Sequence, residues 1–272
     1  MKNLIIRALT GIVFVAIIVT SVCLHPLLFA GVFSLIVGLL IHEFYALSKN
    51  NGLKWQRFLG IIGGMYLFFV SCLFAGHYVG SLIYIPYILL LLILFISSLY
   101  VRNSNPVVQW GQICFAQFYF AGFLSLLSFV AYMQSPEYKP FLVLMVFIFI
   151  WLNDTGAYLV GTWIGKHRLF VSVSPLKSWE GFFGGLVVVF ITALVLSHFF
   201  MELSLYYWLA FAIITVISAT YGDLIESLVK RTYGVKDSGK MLPGHGGVFD
   251  RFDSVLLSAP FVYIFFRLIF LQ

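Results

Sequence analysis

The segment from Lys230 to Asp253 gathers more chemistry than the rest of the chain together. It holds the cations Lys230, Arg231, Lys236, Lys240 and Arg251, the carboxylates Asp237, Asp250 and Asp253, His245, and glycines at 239, 244, 246 and 247. Just upstream, Asp223, Glu226, Ser227 and Lys230 are spaced by threes and fours, which puts them on one face of a helix. Carboxylates supply hard oxygen ligands for Mg²⁺, which takes one or two of them plus substrate phosphates. Lys and Arg hold phosphate charge, and glycines let backbone N–H groups come close to it. The combination describes a metal-assisted phosphate site. The bland alternative is a basic loop whose acids offset its cations; it leaves Asp223 and Glu226, inside an apolar run, unexplained.

A second polar segment begins at Asn153-Asp154-Thr155 and continues to Ser174-Pro175-Leu176-Lys177-Ser178-Trp179-Glu180-Gly181. Asn153 and Asp154 read equally as a helix-terminal cap or as members of the site. Ser174-Pro175, with Glu180 nearby, reads as a helix start whose N–H groups could receive an anion. Gly181, Gly184 and Gly185 suit close helix packing. His42 and Glu43 read as an interfacial pair near the end of an apolar run.

The elements that must position these groups are membrane helices. Of 272 residues, 62% are hydrophobic and 10% charged, with mean hydropathy +1.03; a soluble domain carries about 25% charged residues. A helix needs about 20 apolar residues to cross the hydrocarbon core. That length predicts an all-α, polytopic protein of about nine spans: Leu4 to Val22, Pro26 to Leu47, Phe58 to Ala75, Leu82 to Tyr100, Gln112 to Tyr132, Pro140 to Val160, Phe182 to Phe200, Tyr206 to Val229 and Ser254 to Leu271. Only Cys23 to His25 separate the first two, so one long kinked hairpin is the alternative there. Gln112 and Gln117 dilute the fifth. No stretch alternates with period two, so strands are not expected. The N-terminal run lacks a small-x-small cleavage site and reads as the first span rather than a signal peptide. Cys23, Cys72 and Cys114 lack a CxxC spacing and read as apolar fillers.

Of the 16 Lys and Arg residues, all but Lys139 and Arg267 fall on the N-terminal side of the bilayer with this count. The positive-inside rule then places the N-terminus, and both polar segments, in the cytoplasm of a cell whose inner membrane holds the protein. The net charge of +6 is confined to short loops, which points to topology and anionic lipid rather than nucleic acid. Residues 1–110 read as N-terminal transmembrane helices, and 111–272 as a catalytic transmembrane region with cytoplasmic loops 161–181 and 230–253.

Ser227-Leu-Val-Lys230-Arg231, then Lys236-Asp237, then Leu242-Pro243-Gly244-His245-Gly246-Gly247-Val248-Phe249-Asp250-Arg251-Phe252-Asp253 resembles the signature of the phosphatidate cytidylyltransferases, also called CDP-diacylglycerol synthases. Asn153-Asp154-Thr155 and Ser174-Pro175-x-Lys177-Ser178-x-Glu180-Gly181 resemble further family blocks. Leu176 stands where many members carry a second Lys, and Ser178 where Thr is common. Over residues 1–110 the likeness is only that of a hydrophobic multispanning protein. The resemblance implies a Mg²⁺-dependent reaction, with room for a second cation, in which CTP and phosphatidic acid give CDP-diacylglycerol and pyrophosphate. It further implies a homodimer. On that reading Asp223 and Asp250 hold metal, and Glu226, Asp237 and Asp253 are metal ligands or partners of neighbouring cations. Lys230, Arg231, Lys236 and Arg251 hold phosphates, which Gly246 and Gly247 admit closely. His245 donates to a phosphate, orients a neighbour or makes a loop hydrogen bond. Asp154, Ser174, Lys177, Glu180 and Ser227 contact substrate. A transporter with buried carboxylates and another nucleotide-using lipid enzyme, such as a lipid kinase, are the alternatives. A carrier would place polar residues at mid-membrane on several helices, whereas here they cluster at one end.

Overall fold

The helices that begin at Pro26, Pro106 and Trp179 start where a side chain caps them. In the computed structural model, which describes residues 2–48, 54–101, 105–134, 137–200, 203–239, 241 and 246–270, α1 (Lys2–Leu24) ends before His25. His25 is extended, its Nδ1 accepts the Leu27 N–H at 3.1 Å, and Pro26 opens α2 (Pro26–Leu47). The first two spans are therefore two helices divided at His25 rather than one long kinked element. α3 (Lys54–Ala75) comes next. A short 3₁₀ turn (Ser81–Tyr84) leads into α4 (Ile85–Ser97).

The fifth span begins at Pro106, earlier than hydropathy suggested. Asn105 caps it, accepting the Val107 and Val108 N–H groups at 3.0 and 3.4 Å. It runs through α5 (Pro106–Phe115), a π-helical segment (Ala116–Gly122) and α6 (Phe123–Ala131). Its glutamines are tolerable in the bilayer because each finds a partner away from lipid. Gln109 Nε2 donates to Gln56 Oε1 at 2.8 Å, Gln56 in turn to Ser97 Oγ, and Gln117 Nε2 to the Gly60 carbonyl at 2.7 Å.

The C-terminal half comprises α7 (Phe141–Ile164), α8 (Trp179–Phe199), α9 (Leu205–Thr232) and α10 (Phe249–Phe270). Among the described residues eight helices are long and apolar enough to cross a membrane. α1, at 23 residues, would reach about 34 Å, so the fold is an all-α polytopic membrane bundle. Between α7 and α8 lies an exception to the all-helical expectation: an antiparallel hairpin of β1 (Arg168–Phe170) and β2 (Ser174–Ser178).

Glycines let α7 and α8 approach. A Cβ on Gly156 would lie 3.1 Å from the Gly185 Cα, and one on Gly185 would lie 2.7 Å from the Asn153 carbonyl oxygen. At the centre, Phe33 packs on Phe68, Phe147 and Phe252 with ring centroids 5.7, 5.9 and 6.2 Å apart. α4 sits outermost, burying only Leu94 and Ser97 and turning Ile88, Leu89, Leu92, Ile93 and Ile96 outward. Lipid, not water, suits that face.

Candidate active site

The run Phe249-Asp250-Arg251-Phe252-Asp253 interleaves two pairs, each spaced by three, at the start of α10. Phe249 and Phe252 are fully buried. Phe249 packs on Phe120 (5.0 Å between centroids), and Phe252 on Phe14 (5.7 Å) and Phe33. One residue is about 100° of helix turn, so anchoring the phenylalanines aims Asp250 and Asp253 elsewhere, into a cavity between helices.

On α9, Gly222 makes the opposing approach possible: a Cβ there would collide with the Asp253 carbonyl and come within 3.1 Å of the Ser254 Cα. Ser218 Oγ donates to Ser258 Oγ at 3.0 Å across the same contact. The result is a carboxylate cluster, Asp223, Glu226 and Asp253, with ligand oxygens within 4.8 Å of one another. The sequence paired Asp223 with Asp250; the structure sets Asp253 there instead. Asp250 is committed differently, accepting Lys230 Nζ at 2.9 Å, the Gly247 N–H at 2.8 Å and the Ser238 N–H at 3.2 Å. Lys230 also lies 2.7 Å from Glu226 Oε1, at ion-pair distance but off the hydrogen-bonding direction. One buried cation, Lys230, thus bridges two carboxylates and ties Asp250 to the cluster through Glu226.

The hairpin leans over α9. Lys177 on β2 meets Asp223 Oδ2 at 2.5 Å, and Ser227 Oγ approaches Asp223 Oδ1 at 3.4 Å. Ser174-Pro175 does not start a helix: both residues are in β2, and Ser178 caps α8 by accepting the Gly181 N–H at 3.1 Å. Extended backbone before a serine whose hydroxyl is free to cap places the boundary four residues later than the proline suggested. Ser174 is half-buried on the strand. Glu180 fastens the hairpin base, taking His167 Nδ1 at 2.6 Å and the His167 N–H at 3.2 Å. Arg168 Nη1 donates to the Leu176 carbonyl at 3.2 Å.

A cavity of about 370 Å³ joins these parts, lined by Asp154, Asp223, Asp250, Arg251 and Asp253 together with Ile150, Trp151, Ser254 and Val255. Asp154 lies inside α7, so the reading of it as a terminal cap is excluded; neighbouring Asn153 is buried against Gly185. Arg231 donates to the Val235 carbonyl at 3.1 Å and holds the turn after α9. Lys236 and Asp237 are exposed, and among the described residues neither lines the cavity nor joins an ion pair. His245 lies outside the described residues.

The space beside Gly246 and Gly247 is taken by the protein's own side chains. Gly246 is left-handed (φ +81°), and a Cβ on it would collide with Asp250 Oδ2; at Gly247 the same space is filled by Ser238 Oγ and the Glu43 carboxylate. They admit the protein's own carboxylates.

Two contributions from the N-terminal half escaped the sequence reading. Thr10, Gly11, Phe14 and Val15 of α1 form one wall of the cavity. Glu43 of α2 is 3% exposed and is no partner of the exposed His42. Its oxygens accept the Val248 and Phe249 N–H groups, both at 2.9 Å, and Ser238 Oγ at 3.1 Å. A signal existed: Glu43 is the only acid before Glu137 and sits in an apolar run, where a carboxylate demands a reason.

The fold and this site define the class. The Cytidylyltransferase family matches over residues 5–269, and the chain belongs to that family. Its relatives include the phosphatidate cytidylyltransferase of Haemophilus influenzae, 31% identical over 96% of this chain and 97% of that protein. The protein of the same name from Staphylococcus saprophyticus is 34% identical over 92% and 95%. The one from Staphylococcus epidermidis is 46% identical over a shorter stretch, 45% and 47%.

Proposed function

We propose that this chain transfers the cytidylyl group of CTP to phosphatidic acid, giving CDP-diacylglycerol and pyrophosphate at the cytoplasmic face of a cell membrane. The observation that carries the reading is the carboxylate cluster of Asp223, Glu226 and Asp253, flanked by Lys177 and Lys230, next to a cavity among membrane helices that Asp223, Asp253 and Arg251 line. The relatives' name supplies the substrate pair.

The donor set fits Mg²⁺: hard carboxylate oxygens, few in number, with space left for phosphates. Asp223, Glu226 and Asp253 would hold it, and Asp154 and Asp250 border the same cavity, where a second cation would find oxygen donors. Bound there, Mg²⁺ neutralises phosphate charge. The protein's own residues do the rest. A phosphatidate oxygen attacks the α-phosphorus of CTP as the bond to the β-phosphate oxygen breaks; the lipid phosphate is already ionised, so no strong base is required. Catalysis then comes from alignment and from stabilising the pyrophosphate leaving group. Arg251, in the cavity wall, and Lys177, paired with Asp223 of that wall, would hold phosphate. The wall from α1 is apolar apart from Thr10 and suits the lipid substrate. The reading includes a homodimer, tested by cross-linking in native membranes.

The deciding experiment incubates purified protein with labelled CTP, phosphatidic acid and Mg²⁺, following CDP-lipid and pyrophosphate. Activity should vanish with chelator and drop at least 10²-fold in Asp253→Asn. A folded wild-type protein that transfers only a phosphate, or nothing, would sink the assignment.

A further inference from the structure

The Glu43 carboxylate and the Asp250 carboxylate hold the same stretch of loop from two sides. Asp250 takes the Ser238 and Gly247 N–H groups, and Glu43 takes Ser238 Oγ and the next two N–H groups, of Val248 and Phe249. These last belong to the start of α10, whose first N–H groups have no acceptor within the helix, and a negative charge is favoured there. Glu43 therefore caps α10 from a different helix. Space around it is reserved by glycine: a Cβ on Gly239 would lie 2.6 Å from Glu43 Oε1, and one on Gly247 2.8 Å from the same atom. A neutral amide would present one acceptor where three donors converge, and an apolar side chain would leave two buried N–H groups unpaired.

We infer that Glu43 is a positioning residue for the proposed transfer: it ties Ser238 to Val248 and Phe249 at the start of α10, and through them fixes the Asp250–Lys230–Glu226 chain in the arrangement the reaction needs. The inference rests on the cytidylyl-transfer reading. Glu43 touches loop backbone and a serine hydroxyl, so its loss should act on alignment, where misplacement by about 1 Å costs on the order of 10²-fold.

The test uses full-length protein in lipid nanodiscs, with amide hydrogen exchange at Val248 and Phe249 beside CTP and phosphatidate kinetics. In Glu43→Gln, which is close to isosteric, those two amides should lose protection and kcat should fall about 10²-fold, with KM for CTP held within about threefold. Glu43→Asp should recover part of both. Gly247→Ala, whose methyl would displace the carboxylate, should match Glu43→Gln, and combining the two should add little. Wild-type kcat in Glu43→Gln overturns the inference. So does a lost kcat with protection intact, which would mean direct contact with substrate. Wild-type protein that makes no CDP-diacylglycerol defeats the reaction instead, and the exchange result still judges the loop contact.

Discussion

Two lysines at the site sit in opposite physical situations and should fail differently when removed. Lys230 is mostly buried between Glu226 and Asp250, with side-chain exposures of 13%, 1% and 9%. Removing one partner of a buried set strands an uncompensated charge, at a cost of about 3–5 kcal/mol. Lys230→Met should therefore lower the thermal unfolding midpoint in detergent markedly as well as abolish turnover. Lys177 is more open, with 29% of its side chain exposed, and such a pair contributes about 0–1 kcal/mol. Lys177→Met should unfold near the wild-type temperature yet lose at least 10²-fold in kcat/KM for CTP. A large stability loss in that variant would make the lysine a structural strut. The types and spacing in 223–253 were enough to name Lys230 and the acids around it, and the separate segment 174–181 to name Lys177. Which acid joins which cation was not readable there, because it depends on how α9 and α10 cross at Gly222.

Among elements, the α7–α8 pair with its hairpin is the part where local sequence misled most. The strands, Arg168–Phe170 and Ser174–Ser178, are too short to show alternation, and their pairing leans on His167–Glu180 and Arg168–Leu176 contacts that no periodicity encodes. The glycines of α8, by contrast, were read correctly as packing residues. Gly185→Ala should push against the Asn153 backbone and destabilise the pair by about 1–3 kcal/mol, measured by thermal unfolding, with Gly31→Ala, which has open space around it, as the neutral control. The fifth span was legible in existence but not in extent. Its buried glutamines lower hydropathy, and only their partners on α3 explain why lipid does not expel them.

At the scale of the molecule, alternation of basic loops predicted which ends of the helices lie together. The contacts agree: the end of α2 meets the start of α10 through Glu43 and Phe249, and the hairpin meets the end of α9 through Lys177 and Asp223. Orientation in the membrane is then an expectation open to test. In a variant lacking Cys23, Cys72 and Cys114, a cysteine at Ser172 should react with an impermeant thiol reagent only from the cytoplasmic side, and one at Glu137 only from the other; the reverse pattern would move the site away from CTP. The outline of long apolar helices, eight of them long and apolar enough to span among the described residues, was legible because bilayer thickness fixes helix length. The role of Glu43 was not, since its partners Val248 and Phe249 lie 205 and 206 positions away.

That separation has a bearing on biogenesis. Each helix can insert as it leaves the ribosome, but the cap on α10 and the wall supplied by α1 meet only once α10 itself, from Phe249 onward, has entered the bilayer. A nascent chain halted before α10 would carry Glu43 without the Phe249 N–H it accepts and without Asp250 and Asp253, so the site is completed only by the last helix made.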